Sequence, residues 1–224
     1  HGFVVNAVLG PFITEPAWMV SDGEATIREA DAAMVHERGY PMGPFELSDM
    51  TGIDVSYHVR SEAGLAIPPI VEEKFEAGDH GRKTGRGYYE YEGSETSETS
   101  RGGGEAAGTA PGADYDPDDA GEFDWLRVEA LMINQAAAHV GNDVATPEAI
   151  DTGMRLGTGF PEGPCRRGDA LGLDRVLAKL ESLRQAHGDA HGEDRYEPAE
   201  YLLDLVARGD TGADAGAGFY DYGS

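Results

Sequence analysis

The chain has 224 residues, 40% of them apolar, enough for one large domain or two small ones with separate cores. Its 42 acidic residues against 17 basic ones give a formal net charge of -25, which repels phosphate backbones and anionic lipid, so neither nucleic acid nor a membrane is an expected partner. Only three of the basic residues, Lys74, Lys83 and Lys179, are lysines, and the acidic residues are spread over both halves, a composition that fits a salt-adapted cytoplasmic protein.

Cys165 is the only cysteine, which rules out an intramolecular disulfide. No run of about 18 apolar residues is present, so no membrane span is expected, and no signal-peptide core opens the chain. The chain starts inside an apolar run, "HGFVVNAVLGPF", which reads as a fragment whose preceding residues are missing.

In chain order the predicted elements are helical. Val4, Val8, Phe12, Ile13, Ala17 and Val20 share one helix face, with Pro11 and Pro16 expected to kink or split that helix. Thr26 to Glu29 form a capping box that opens the next helix. The stretch "RGYPMGPFELSD" (38–49) then breaks the chain, and short helices are predicted from Pro44 and from about Asp54. Residues 92–122, rich in Gly, Ser, Thr, Glu and Asp, read as a flexible linker. Beyond it, Thr146 and Pro147 supply an N-cap and a proline at the first helical position. Leu173, Val176, Leu177 and Leu180 form one apolar stripe; Tyr201, Leu202, Leu205 and Val206 form another. Only "GYYEY" (87–91) and "GFYDY" (218–222) look strand-like.

The second half repeats the first. "TGFPEGPCRRGD" (158–169) matches residues 38–49 at an offset of 120, and eleven of the thirty positions from Ala25 to Asp54 are identical to those from Ala145 to Asp174. The identities include Asp31/Asp151, Asp49/Asp169 and Asp54/Asp174, which read as helix caps or turn acceptors. After 11 extra residues in the second copy, register returns at the two tyrosine-rich ends. This internal duplication divides the chain into a first copy (1–91), the linker (92–122) and a second, degenerate copy (123–224).

Few residues suggest chemistry. No glycine-rich strand-to-helix turn and no P-loop signature is present, so no nucleotide site is expected within these residues. His187 and His191 have the spacing of a helical metal pair, but the glycines around them favour a solvated loop. Cys165 stands where the first copy has Phe45 and reads as a buried apolar filler. Two features are present in the first copy alone. Asn6 interrupts the run "GFVVNAVL", where an amide is expensive to bury, and its counterpart is Leu126. The loop "HGRKTGRGYYEY" (80–91) carries Arg82, Lys83 and Arg86 among glycines, a setting suited to a phosphate-bearing ligand or to a turn docking the terminal segment.

The combination "GFVVN…GYPMGPFELSDMTGID…GRKTGRGYYEY" resembles the C-terminal domain of 3-hydroxyacyl-CoA dehydrogenases, including the 3-hydroxybutyryl-CoA dehydrogenases, over residues 2 to 91. Residues 123 to 222 look like a degenerate second copy, as in fatty-acid-oxidation proteins with tandem copies, some fused to an enoyl-CoA hydratase. The acidic composition suggests a haloarchaeal member. The resemblance implies an all-α fold, two tandem copies of the 6-phosphogluconate-dehydrogenase-C-terminal-like helical domain. The family oxidises L-3-hydroxyacyl-CoA to 3-ketoacyl-CoA with NAD, held by an N-terminal Rossmann domain that this chain lacks. The fragment alone is then expected to bind no cofactor and to be inactive. By resemblance Asn6 orients the catalytic histidine near the reacting oxygen, while Arg82, Lys83 and Arg86 are expected to meet the acyl-CoA substrate. The second copy is expected to supply an intrachain pseudo-dimer surface. A helical assembly module with no enzymatic role is the alternative.

Overall fold

A computed structural model of the chain describes residues 2–91, 115–188 and 194–223. Ten α-helices are present among the described residues, and no strand; the tyrosine-rich ends make only isolated bridges, Gly81 to Arg86 and Gly212 to Ala217 among them. The helices are α1 (Gly2–Ser21), α2 (Ile27–Ala32), α3 (Pro44–Thr51), α4 (Ile53–Glu62), α5 (Pro69–Ala77), α6 (Trp125–Gly141), α7 (Pro147–Thr158), α8 (Pro164–Leu171), α9 (Leu173–His187) and α10 (Glu200–Arg208). The order α2–α5 recurs as α7–α10, and α8 starts 120 residues after α3. The all-α expectation holds.

Local chemistry explains the helix ends. Glu29 N donates to Thr26 Oγ1 at 3.2 Å and Thr26 N donates to Glu29 Oε2 at 2.7 Å, which closes the predicted capping box on α2. In α7, Ala149 N donates to the Thr146 hydroxyl at 3.3 Å, with Pro147 at the first helical position. Pro44 and Pro164 likewise open α3 and α8. Past α2 the chain widens into a π-helical turn, Ala33–Glu37, ending where Arg38 N reaches back to Ala33 O at 3.1 Å.

Two expectations need correction. α1 is one helix of 20 residues that runs unbroken through Pro11 and Pro16. Each proline removes a helix donor, but Val8, Phe12, Glu15, Ala17, Trp18 and Met19 are all buried, and that tertiary packing outweighs the lost hydrogen bonds. The second correction concerns the end of the linker. Residues 92–114 lie outside the described residues, but 115–122 are folded against α2 and α3. Pro117–Ala120 forms a 3₁₀ turn capped by Asp116 and Asp119. Arg28 holds Asp119 at 3.1 Å, and Tyr115 donates to Glu46 Oε2 at 3.0 Å.

The chain forms two compact units. One, the α3 unit, comprises Pro16–Arg38 and Met42–Phe123. Its core is built from Ala30, Met34, Phe45 and Ile53. The other, the α6 unit, comprises His1–Glu15, Gly39–Pro41 and Asp124–Ser224. There α8, α9 and α10 pack on α6, around Val128, Ile133, Leu173, Val176, Leu180 and Leu202. The apolar stripes read on α9 and α10 supply these last four residues. The fifteen leading residues of the chain thus belong to the unit built mainly from the second half.

Candidate functional site

Asn6 lies on the first turns of α1, in the α6 unit. The neighbouring Val5 is half-buried and Val8 fully buried, whereas the Asn6 side chain is exposed. The expectation that this amide is costly to bury therefore does not apply, because successive residues of a helix point about 100° apart and Asn6 takes the open direction.

The three cations of the 80–91 loop lie in the α3 unit. Their loop is held by two buried carboxylates at the equivalent places in both halves of the chain. Asp31, at the end of α2, accepts from Phe45 N at 2.8 Å and Glu46 N at 3.0 Å, the first free amides of α3. Asp49, on α3, accepts from Tyr88 N and Tyr89 N, each at 2.9 Å, and from the Tyr91 hydroxyl at 2.8 Å. Asp151 and Asp169 repeat the pattern with Cys165, Arg166, Phe219, Tyr220 and Tyr222. Burial pushes the Asp31 carboxyl up to about 7 against the amides and the Tyr89 hydroxyl that hold it down. Asp49 and Asp169 are raised as well, again through burial.

Each cation of the loop has a carboxylate partner. Arg82 donates to Glu46 Oε1 at 2.8 Å and lies over the Tyr91 ring, 5.6 Å from its centroid. Lys83 pairs with Asp54. Arg86 sits 3.5 Å from Asp79 and 3.8 Å from Glu90, and its side chain is 61% exposed, the most open of the three. The glycines around them serve the clamp. A Cβ at Gly81 or Gly87 would overlap Asp49, and one at Gly43 would overlap Asp31. The bare backbone at Gly43, Gly81 and Gly87 is filled by protein, so these glycines cradle no phosphate.

Two further clusters lie in the α6 unit, and neither was foreseen from the sequence. Glu15, fully buried, receives Arg127 Nε at 2.5 Å, Arg195 Nε at 2.9 Å and the Tyr196 hydroxyl at 2.9 Å. Burial alone would raise its carboxyl, but the Arg195 and Arg127 guanidiniums hold it below the usual range. Its only sequence signal was an acid inside an apolar helical face. Tyr40 donates to Glu129 at 3.1 Å, beside a cavity of about 10 Å³ also lined by Phe160 and Arg167, which has room for about one water. Phe12, Tyr40 and Phe160 pack there in tilted and edge-to-face arrangements, with centroids 4.6 to 5.1 Å apart. His191 lies outside the described residues, so the His187–His191 pair has no geometry here. Cys165 is buried and its thiol is raised by burial, the state of an inert filler.

An all-helical module that fastens its tyrosine-rich end with a buried aspartate is the class this geometry defines. The family description "3-hydroxyacyl-CoA dehydrogenase, C-terminal domain" matches residues 2–91 and again 123–222, and the chain belongs to that family. Fatty acid oxidation complex alpha subunits from Shewanella sp. (strain ANA-3) and Psychrobacter sp. (strain PRwf-1) are each 32% identical over 92% and 94% of this chain. The chain spans about 30% of the length of these curated relatives. A 3-hydroxybutyryl-CoA dehydrogenase from Escherichia coli K12 superposes with a TM-score of 0.71 at 25% identity, over 92% of this chain and 60% of that one. The dehydrogenase part of multifunctional enzyme 1 from C. elegans shares the fold, with a TM-score of 0.63 at 20% identity over 90% of this chain and 47% of that one.

Proposed function

We propose that this chain is the substrate-facing C-terminal portion of an NAD-dependent L-3-hydroxyacyl-CoA dehydrogenase of fatty-acid oxidation. In this reading an N-terminal Rossmann domain holds the dinucleotide, and the fragment alone is inactive. The observation that carries the reading is Asn6, the one polar residue between Gly2 and Gly10, which stands exposed on α1 within the family's G-F-V-V-N motif. An amide held there on a rigid helix orients the substrate oxygen and the histidine that takes its proton.

Residues 123–222 act as a second copy of the domain, forming an intrachain pseudo-dimer, and the ring contacts of Phe12 and Tyr40 with Phe160 support that role. An enoyl-CoA hydratase domain in the same protein is consistent with relatives that are complex subunits. The acidic composition supports a salt-adapted cytoplasmic host. Of the three loop cations, Arg86 is the one free enough to meet the acyl-CoA phosphates, while Arg82 and Lys83 staple the loop. An assembly module without chemistry would explain those staples but not an exposed asparagine at the family's motif position.

The test is reduction of acetoacetyl-CoA by NADH with full-length protein in high salt. Asn6→Ala should lower kcat at least about tenfold without shifting the thermal midpoint. Arg86→Ala should raise KM for the thioester. Unchanged kcat in Asn6→Ala would remove the catalytic assignment.

A further inference from the structure

Val5, the residue before Asn6, meets α7 at two glycines. A Cβ on Gly153 would lie 3.0 Å from Val5 Cγ2, and one on Gly157 would lie 3.5 Å from Val5 Cγ1. The two glycines are one turn apart, so they leave a shallow groove along one side of α7. Glycine is the least favourable residue in a helix interior short of proline, so two in one helix of 12 residues need a reason. The first half of the chain has Ala33 and Glu37 at the equivalent positions, 120 residues earlier. The groove is therefore particular to the second half, and the side chain it accommodates belongs to α1.

We propose that the Gly153–Gly157 groove seats Val5 and thereby fixes the rotation of α1 that presents Asn6 outward. This rests on the catalytic reading of Asn6 given above. Consecutive helical residues differ by about 100°, so pinning Val5 against α7 sets the direction of its neighbour. Filling the groove pushes Val5 away and turns or lifts the start of α1. Asn6 then leaves the position where its amide serves the reaction. Gly153 and Gly157 are positioning residues; they act through Val5 and touch no substrate. The second half of the chain would thus contribute to turnover although it keeps Leu126 where Asn6 stands in the first.

The experiment uses the full-length dehydrogenase with acetoacetyl-CoA and NADH. Gly153→Ala should lower kcat about five- to tenfold and leave KM within about twofold, since a displacement of a few tenths of an ångström is costly for a positioned group. Its thermal midpoint should hold or rise, because alanine is the better helix former. Gly157→Ala, with the wider clearance, should lose less. Adding Val5→Ala should return the Gly153→Ala enzyme to the kcat of Val5→Ala alone. In an Asn6→Ala background Gly153→Ala should have no further effect, which a merely structural role would not produce. The proposal is overturned by unchanged kcat in Gly153→Ala, by a loss that Val5→Ala does not relieve, or by additive loss in the Asn6→Ala background. If Asn6→Ala itself leaves kcat intact, the catalytic reading falls and the groove with it. If Asn6→Ala lowers kcat and Gly153→Ala does not, only the groove falls.

Discussion

The hydroxyl of Tyr89 donates to Oδ2 of Asp31 at 2.8 Å, and 58 residues of chain separate the two. Tyr220 makes the same bond to Asp151 at the same 2.8 Å. Each bond ties the tyrosine-rich end of a segment to the carboxylate that caps the helix after the Gly/Pro corner. The corner, the cap and the end of each segment are therefore one connected structure.

Removing that hydroxyl should loosen the connection. Tyr89→Phe is expected to lower unfolding free energy by about 0.5–3 kcal/mol, the span from a hydrogen bond to an uncharged carboxyl to one to a carboxylate. Asp31 also gives a pH signature. Its carboxyl is raised from 3.8 to about 7 in the folded state, so between those values the fold retains a proton that the unfolded chain releases. Its contribution is fully present below about pH 4 and is lost as pH rises through 7. Denaturant titrations of the wild type and Asp31→Asn should show their stability difference shrinking over that interval. A difference that stayed flat or grew would refute the assignment.

Glu15 responds in the opposite direction. With its folded pKa held below 4.5, its contribution is present above that value and is lost as pH falls through the lower folded value. Glu15→Gln should therefore flatten the acid limb of a thermal-midpoint profile. Glu15→Ala leaves Arg127 and Arg195 buried without their carboxylate and should cost about 3–5 kcal/mol at neutral pH. A loss below about 1 kcal/mol would mean that the cluster relaxes freely.

Two glycines make a paired test of packing. At Gly43 a Cβ would overlap Asp31, so Gly43→Ala should destabilise by about 1–3 kcal/mol. At Gly10, inside α1, nothing beyond its chain neighbours lies within 4 Å of the added carbon, though Pro11 follows directly, and the second half has Ala130 there. Gly10→Ala should change stability by less than about 1 kcal/mol, its helix-propensity gain offset by the Pro11 ring. Thermal unfolding of both variants decides; equal effects would refute the contrast.

What the sequence made legible was whatever is decided locally. Thr26 with Glu29, Thr146 with Pro147, and the prolines at 44 and 164 specify helix starts within a few residues, and all of them open helices. The apolar stripes of α9 and α10 were readable for the same reason. What depended on distant partners was not. Pro11 and Pro16 argued for a kinked or split α1; it is not split, and nothing nearby announces the burial that keeps it whole. Tyr115 to Asp119 looked like linker because the residues that hold them, Glu46 and Arg28, lie 69 and 91 positions away. That Arg82 and Lys83 pair with Glu46 and Asp54 was not legible, because those carboxylates come from other helices. Glu15 finds its arginines 112 and 180 residues on.

The assignment of the first fifteen residues to the α6 unit has a consequence for synthesis on the ribosome. Val8, Phe12 and Glu15 are made well before Phe160, Arg127 and Arg195, which complete their surroundings and follow only after more than a hundred further residues. At a translation rate of about 5–20 residues per second, α1 waits for roughly 6 to 36 seconds with its apolar face uncovered. The rest of the first segment can settle meanwhile, because Asp31, Asp49 and their tyrosines lie within its own 91 residues. While these residues are being made, the first segment is therefore partly folded with α1 unfinished, and a holding chaperone has the most to protect there.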